Sequence, residues 1–241
     1  MSMWNPQMTG RPVPLEYGTD TRDSAVIRFF NAVYAWMAVG LAVTASVAWL
    51  VVNHRSVMAA VYTPGAMIGI FVAEIALVLV ISGAIHALNA TAATALFVLY
   101  AALNGVLFSS IFLVYTLTSI TGTFIACAAM FGAMSVYGMV TKTDLTSMGK
   151  ILFMALIGLI VASIVNIFVA SSALYWLVSY AGVIIFAGLT AYDTQRLRTM
   201  AISVQGDAAM AARLSVNGAL ILYLDFINMF LFLLRIMGKR R

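Results

Sequence analysis

Long stretches of this sequence contain no charged residue, and their length limits the folds that the chain can adopt. The longest covers residues 87–141, and two others cover residues 29–52 and 151–192. A helix needs about 20 apolar residues to cross the hydrocarbon core of a bilayer. Because 63% of the residues are hydrophobic and only 9% are charged, a soluble fold of this size could not bury the apolar surface. The sequence therefore predicts an all-α integral membrane protein, with the lipid bilayer as its first partner.

Polar positions between the apolar runs predict about seven transmembrane helices. Residues 116–122 divide the longest run, and Ser171-Ser172 divides residues 151–192. The seven predicted helices cover residues 29–52, 65–85, 91–115, 123–140, the two parts of 151–192, and 216–237. They make one transmembrane domain over residues 25–238. Residues 1–24 are polar and contain three prolines, which predicts a disordered tail, and residues 239–241 form a short basic tail.

Small residues recur at four-residue spacing inside two of the predicted helices. The pairs are Ala128 with Gly132, and Gly158 with Ala162. Small residues at this spacing let two helix backbones approach closely in a membrane. Glycine is common in membrane helices in general, so the spacing supports a compact bundle and little else.

The basic residues bear on topology. The net charge is +5, but no basic patch typical of a nucleic-acid-binding protein is present. With a cytoplasmic N-terminus and seven crossings, eight Lys and Arg residues lie inside and five outside. If the last helix did not cross, the numbers would be twelve and one, so the positive-inside rule alone favours a re-entrant last helix. The length of residues 216–237 favours seven crossings, and the two arguments disagree.

Three carboxylates fall within the predicted transmembrane helices: Glu74, Asp193 and Asp225. An acidic residue at the centre of a membrane helix costs roughly 2.5–3.5 kcal/mol on insertion scales, so such residues generally have a function. Asp225 shares a stripe of the last helix with Asn217, Asn228 and Arg235, because spacings of 8, 3 and 7 residues return to similar angles on a helix. The stripe predicts that the last helix faces the bundle axis or a hydrated cavity.

Asp193 and Asp225 lie on consecutive predicted helices that could form an antiparallel hairpin. Asp193 is about three residues from its predicted helix end and Asp225 about nine from its own, which leaves a gap of roughly 9 Å along the axis. A tilt or a longer sixth helix would close that gap. If the two carboxyl groups meet, they should share a proton and titrate as a unit, and their oxygens suit Ca²⁺. The alternative is two separate acids, each hydrogen-bonded to a neighbouring helix.

Three segments of the sequence together resemble one family. They are LNGVLFSS at residues 103–110, LTAYDTQ at 189–195 and LYLDFIN at 222–228. The chain resembles bacterial members of the Bax-inhibitor family, also called the transmembrane Bax inhibitor motif proteins, over residues 25–238. The resemblance implies a seven-helix bundle whose last helix is central.

The resemblance also implies a function and its residues. It implies a pH-sensitive Ca²⁺ leak in which two aspartates on helices six and seven, here Asp193 and Asp225, share a proton. In the family's closed state a basic residue late in helix two pairs with an aspartate. Residues 82–86 contain no arginine, so His86 is the basic side chain in that region.

These observations leave three candidate functions. The leading prediction is a pH-sensitive leak for calcium or other cations in the bacterial inner membrane, with no enzyme activity and no bound cofactor. Asp193 and Asp225 are the predicted sensor and ion ligands, and Glu74, Asn228, Arg235 and His86 are supporting polar positions. The alternative is an interaction protein that modulates a membrane-bound protease, as some bacterial members of the resembled family do. An intramembrane aspartyl protease fits less well, because Leu222-Tyr223-Leu224 precedes Asp225 where that family has Gly-x-Gly.

Overall fold

The structure is a computed structural model that describes residues 17–85 and 87–241. This part of the chain contains nine α-helices and no β-strand. The helices are α1 Tyr17–Asn53, α2 Arg55–Val61, α3 Pro64–Gly83, α4 Ala90–Phe108, α5 Ile111–Val114, α6 Leu117–Val140, α7 Thr146–Val169, α8 Ser172–Ser203 and α9 Ala208–Met237.

Seven helical segments are long and apolar enough to cross a membrane. They are the Ser24–Asn53 part of α1, then α3, the Ala90–Val114 segment formed by α4 and α5, and α6, α7, α8 and α9. The predicted all-α membrane bundle is confirmed. Successive membrane-spanning segments run in opposite directions, so their connections lie alternately at the two ends of the bundle. We call the end with the start of α1 the N-terminal face; it holds the connections at residues 84–89, 141–145 and 204–207. The C-terminal face holds the other connections and the C-terminus.

The last helix is central, as predicted. In the most apolar stretch of α9, 56% of the residues are buried inside the bundle, against 6% in α7. Helix α9 contacts α1, α4, α6 and α8, whereas α7 packs chiefly on α8. Large apolar side chains of α7, such as Ile167 and Phe168, are therefore left for lipid.

Side-chain caps determine where most helices begin, and they explain why several predicted boundaries were wrong. The side chain of Thr116 accepts a hydrogen bond from the N–H of Ser119, so α6 begins at Leu117. The predicted polar connection at residues 116–122 is thus mostly helical. Ser171 caps α8 in the same way, immediately after Ala170 ends α7 in a left-handed conformation with φ 51°.

The structure also differs from the predicted boundaries at the start of the first helix and in the segment that joins the sixth predicted helix to the seventh. The described helix α1 begins at Tyr17, so the boundary of the predicted disordered tail, at residue 24, falls inside a helix. Residues 1–16 lie outside the described residues. Helix α8 continues to Ser203 and α9 begins at Ala208, because their polar end turns extend the apolar runs beyond the hydrocarbon core.

The C-terminus lies on the opposite face of the bundle from the start of α9. The N–H of Thr116 donates to the carbonyl of Lys239 at 3.2 Å, and the N–H of Arg241 donates to the carbonyl of Val114 at 3.0 Å. These bonds attach the C-terminal residues to the connection between α5 and α6. Helix α9 therefore crosses from one face to the other, and a re-entrant last helix does not fit the structure.

The glycines of the two small-residue pairs are not at close helix contacts. Gly132 and Gly158 have open space where a β-carbon would be. The close approaches occur instead at Gly105, where a β-carbon would lie 2.6 Å from the carbonyl oxygen of Thr44, and at Gly138, 2.2 Å from that of Ala191. Small residues that face lipid and those that face a helix share one spacing, so spacing alone could not separate them.

Candidate functional site

Asp193 and Asp225 meet between α8 and α9. Their carboxyl groups are close enough to interact with each other. Asp225 is only 4% exposed, and Asp193 is half-buried. A carboxylate can only accept hydrogen bonds, so a hydrogen bond between the two groups needs a proton on one of them. The structure therefore brings two acids together inside membrane-spanning segments, which is the arrangement that sharing of a proton requires.

The register of the hairpin explains how the two acids come to the same depth. The rings of Phe186 on α8 and Phe232 on α9 stack at a centroid distance of 6.0 Å. Asp193 lies seven residues after Phe186, and Asp225 lies seven residues before Phe232. Seven residues are about two turns, so in an antiparallel pair the acids face each other as the rings do. The gap expected from the sequence closes because α8 continues to Ser203.

Helix α6 fixes α8 from the other side. Oγ of Ser135 lies 3.1 Å from Oγ1 of Thr194 and also contacts the hydroxyl of Tyr34. One turn further along α6, the backbone of Ala191 closes onto Gly138. These contacts on both sides of Asp193 hold the carboxylate toward α9 rather than toward α6.

A cleft of about 740 Å³ opens beside the acid pair, between α7 on one side and α8 and α9 on the other. Most of its wall is apolar, and it also contains Asn228, Arg196 and Lys150. Arg196 interacts electrostatically with Asp193, whereas Oδ2 of Asp225 is buried without a hydrogen-bond partner among the described residues. The cleft thus combines one unsatisfied acidic oxygen with two cationic side chains.

Gln195, two residues after Asp193, connects α8 to the loop between α6 and α7 at the N-terminal face. The Nε2 group of Gln195 donates to the carbonyl of Thr143 at 2.8 Å, and its Oε1 accepts from the N–H of Leu145 at 2.9 Å. Sequence reasoning included Gln195 in a motif without giving it a role, and it missed Arg196 and Lys150. The partners of Gln195 lie in the loop between α6 and α7, and the local sequence does not mark that contact. Arg196 lies three residues after Asp193 on the same helix, a spacing at which helical charges interact, so the sequence could have indicated it.

Two of the other predicted polar positions, Glu74 and Arg235, are not brought to the pair. Glu74 on α3 is half-buried and interacts electrostatically with Tyr100 and Tyr223, on a different side of α9. Its Oε1 is also buried without a partner among the described residues. Arg235 lies at the C-terminal face, and His86 lies outside the described residues.

The predicted polar stripe of α9 is therefore only partly correct. Asp225 and Asn228 line the cleft, but Asn217 does not. The amide of Asn228 donates to the carbonyl of Leu224 at 2.8 Å. Because α9 is surrounded by other helices, polar residues on several of its sides can avoid lipid, and a shared stripe is not required.

The acid pair alone supplies fewer oxygen ligands than a calcium site needs. Ca²⁺ takes six to eight oxygen ligands, and two carboxylates supply at most four. Among residues 17–85 and 87–241 there is no group of three or more His, Cys, Asp or Glu side chains that could hold a metal. The donor set suits a cation that passes and keeps part of its water shell better than one that stays bound.

Comparison with known proteins identifies the family. The family model described as "Inhibitor of apoptosis-promoting Bax1" matches residues 26–241. The chain belongs to the Bax inhibitor family. The resemblance inferred from the three sequence segments is thereby confirmed, and all the described transmembrane segments of this Bax inhibitor family protein except the start of α1 lie within the match.

Bacterial relatives of this Bax inhibitor family protein match over nearly their whole length. "Inner membrane protein YbhL" of Escherichia coli K12 is 53% identical over 215 residues, which cover 88% of this chain and 92% of the relative. "Uncharacterized protein YrjE" of Lactococcus lactis is 41% identical, with 91% and 94% covered. "Uncharacterized membrane protein SpyM3_0260" of Streptococcus pyogenes is 36% identical, with 90% and 95% covered. The chain is an integral membrane protein of this family.

Proposed function

We propose that this Bax inhibitor family protein is a proton-controlled cation leak, with calcium as the transported ion. The observation that carries the proposal is the close approach of the carboxyl groups of Asp193 and Asp225 beside a cleft between membrane-spanning helices. Carboxyl groups in membrane spans are costly and mark ion or proton pathways. A pair that shares one proton can change charge without unfolding the helices around it.

Loss of the shared proton changes both the contact and the charge of the cleft. Two unit charges 4 Å apart repel by about 4 kcal/mol at an effective dielectric constant near 20. That repulsion opposes the contact between α8 and α9, and a divalent cation between the two carboxylates relieves it. The charged groups that face the pair are Arg196 from α8 and Lys150 from α7, and both partly offset the new negative charge.

Adjoining cavities support a route from one face to the other. The cleft shares Tyr192 and Arg196 with a cavity at the N-terminal face. It shares Ser163 and Ile167 with a cavity at the C-terminal face. Cavities with common walls lie next to each other, so the acid pair stands near the middle of a row of spaces along α7. We propose this row as the cation path.

The proposal is tested by calcium flux into dye-loaded proteoliposomes at pH values from 6 to 8. We expect a protein-dependent flux that rises with pH, because the ionised pair attracts cations and the protonated pair does not. Flux that equals that of empty liposomes at every pH, from folded protein, would contradict the leak. That result would favour the alternative function, in which the protein interacts with a membrane-bound protease and modulates it.

Arg196→Gln is expected to move the pH of half-maximal flux upward by about half to one pH unit. The positive charge of Arg196 stabilises the ionised form of Asp193, so a higher pH is needed once that charge is removed. The flux of each variant is normalised to its own maximum, so that the midpoint is compared rather than the rate. Arg55→Gln is the control, because Arg55 is exposed and lines none of the cavities of the proposed path. A downward shift, or the same shift in both variants, would contradict the assignment.

We also propose that the protein lies in the bacterial inner membrane with its N-terminal face in the cytoplasm. A close relative carries the name "Inner membrane protein YbhL", and seven crossings with this orientation keep eight of the thirteen Lys and Arg residues inside. A C-terminal fusion to alkaline phosphatase, which is active only outside the cytoplasm, should therefore be active. An inactive phosphatase together with a fluorescent C-terminal green fluorescent protein fusion would reverse the orientation.

A further inference from the structure

The C-terminal residues are held in one position by the backbone. The N–H of Lys239 donates to Oγ of Ser119 at 2.9 Å, and an isolated antiparallel bridge pairs Arg240 with Tyr115. Since successive side chains of an extended segment point to opposite sides, Arg240 projects away from Lys239 and Arg241. A tail held by these bonds presents one particular arginine to the bundle.

That arginine meets a second one at the C-terminal face. The guanidinium of Arg240 lies close enough to the hydroxyls of Tyr115 and Tyr175 to interact with both. Arg235, in the last turn of α9, lies over the ring of Tyr175 at 6.0 Å from its centroid. Two adjoining cavities, of about 500 and 540 Å³, are both lined by Arg235, Arg240, Tyr175 and Asn166. We call these four residues the arginine cluster.

The polar groups around the arginine cluster are mainly hydrogen-bond donors. No acidic side chain lines either cavity in the part of the chain that the structure describes. Asn166 accepts from the N–H of Ser171 through Oδ1 at 3.0 Å, which leaves its amide N–H groups for a ligand. All the polar groups here can donate hydrogen bonds, and two of the residues are cations. Such a set suits an anion with several oxygens, above all a phosphate.

The surroundings of the cluster indicate a lipid rather than a soluble phosphate. One of the two cavities continues along Ile111, Val114 and Ile167, and Ile167 is 76% exposed on the lipid-facing side of α7. Trp176, in the wall of the other cavity, is 43% exposed and stacks on Tyr180. Aromatic residues of this kind are enriched where a bilayer meets water. A donor-rich pocket above an apolar wall matches a headgroup with its acyl chains.

We propose that the arginine cluster binds the phosphate group of an anionic phospholipid at the C-terminal face. One cavity of the cluster is also the C-terminal part of the proposed cation path, but the binding of a lipid there is measured without ion flux, so it can fail or hold separately from the leak. In the proposed orientation the C-terminal face lies outside the cytoplasm, where the positive-inside rule expects few cationic residues. Lipid binding gives the arginines on that face a role. Basic pockets between transmembrane helices bind anionic headgroups in other membrane proteins.

The test compares lipids and variants by binding and not by flux. Detergent-solubilised protein is titrated with phosphatidylglycerol and, separately, with phosphatidylcholine, and the melting temperature and the lipid retained in native mass spectra are recorded. We expect phosphatidylglycerol to raise the melting temperature and to be retained, and phosphatidylcholine to do neither. The variant with Arg235→Gln and Arg240→Gln should need about tenfold more phosphatidylglycerol for half-saturation.

The control variant carries Lys239→Gln and Arg241→Gln. It removes the same charge from the same end of the chain but spares the cluster, and its half-saturation should stay within about twofold of the wild type. Equal retention of the two lipids by the wild type would overturn the proposal. This comparison does not depend on whether a variant folds. An equal loss in both variants would reduce the effect to net charge and overturn it too. If soluble glycerol 3-phosphate stabilises the protein as well as phosphatidylglycerol does, the ligand is a free phosphate and not a lipid.

Discussion

Asp225→Asn is expected to remove the pH response of calcium flux between pH 6 and 8. Asparagine has nearly the same shape and can still hydrogen-bond to Asp193, but it cannot share an acidic proton or become negatively charged. Below its midpoint, a flux that depends on losing one proton changes about tenfold per pH unit. We expect the wild type to approach that slope and Asp225→Asn to vary by less than about twofold over the range. Asp193→Asn should behave in the same way, because the proton belongs to the pair.

The measurement uses proteoliposomes with matched protein content and a calcium dye inside. Asp207→Asn is the control, because Asp207 caps α9 by accepting from the N–H of Met210 at 2.9 Å and asparagine caps a helix equally well. This variant removes one acid from the protein, away from the cleft, and should keep the wild-type pH response. If either cleft variant retains the full response while folded, the acid pair is not the pH sensor, even if the protein conducts cations.

Gly138→Ala is expected to destabilise the protein by about 3 kcal/mol. A β-carbon at this position would lie 2.2 Å from the carbonyl oxygen of Ala191 and 3.0 Å from its Cα. The obstructing atoms belong to the backbone of α8, so no rotamer change can relieve the contact, and α6 and α8 must move apart. Movement of α8 also displaces Asp193, which follows Ala191 by two residues.

The apparent melting temperature in detergent measures this effect, with an expected fall of roughly 5–10 °C. Gly132→Ala is the matched control on the same helix, because a β-carbon there meets open space. Alanine favours a helix over glycine by about 1 kcal/mol in water, so the control should be neutral or slightly stabilising. Equal losses at the two positions would mean that α6 does not tolerate alanine in general, and that the close contact with α8 is not the cause.

Much of the fold could be predicted from the sequence because the bilayer restricts it so strongly. A run of some 20 apolar residues has few alternatives to a membrane helix, so the seven crossings were found. The boundaries were less accurate. Helix α6 begins at its Thr116 cap, and α8 continues to Ser203, whereas hydropathy records only where polar residues appear.

The candidate site was partly visible for the same reason. Acids in a membrane span are rare enough to stand out, and Asp193 and Asp225 did. Whether they met could not be decided, since that depends on how far α8 extends and on the register of two antiparallel helices. Glu74 stood out equally and lies on another side of α9, beside Tyr100 and Tyr223.

Composition and the order of apolar runs by themselves determined that this protein is a helical membrane bundle with three acids in its spans. The tertiary structure decided which acids meet, which glycines touch a backbone, and which arginines line one cavity. The physical reason is the range of the forces. Transfer from water to lipid acts on each segment separately and can be read from its residues in order. Hydrogen bonds and close contacts require two particular atoms within a few ångströms, and only the packing of α6, α8 and α9 brings those atoms together.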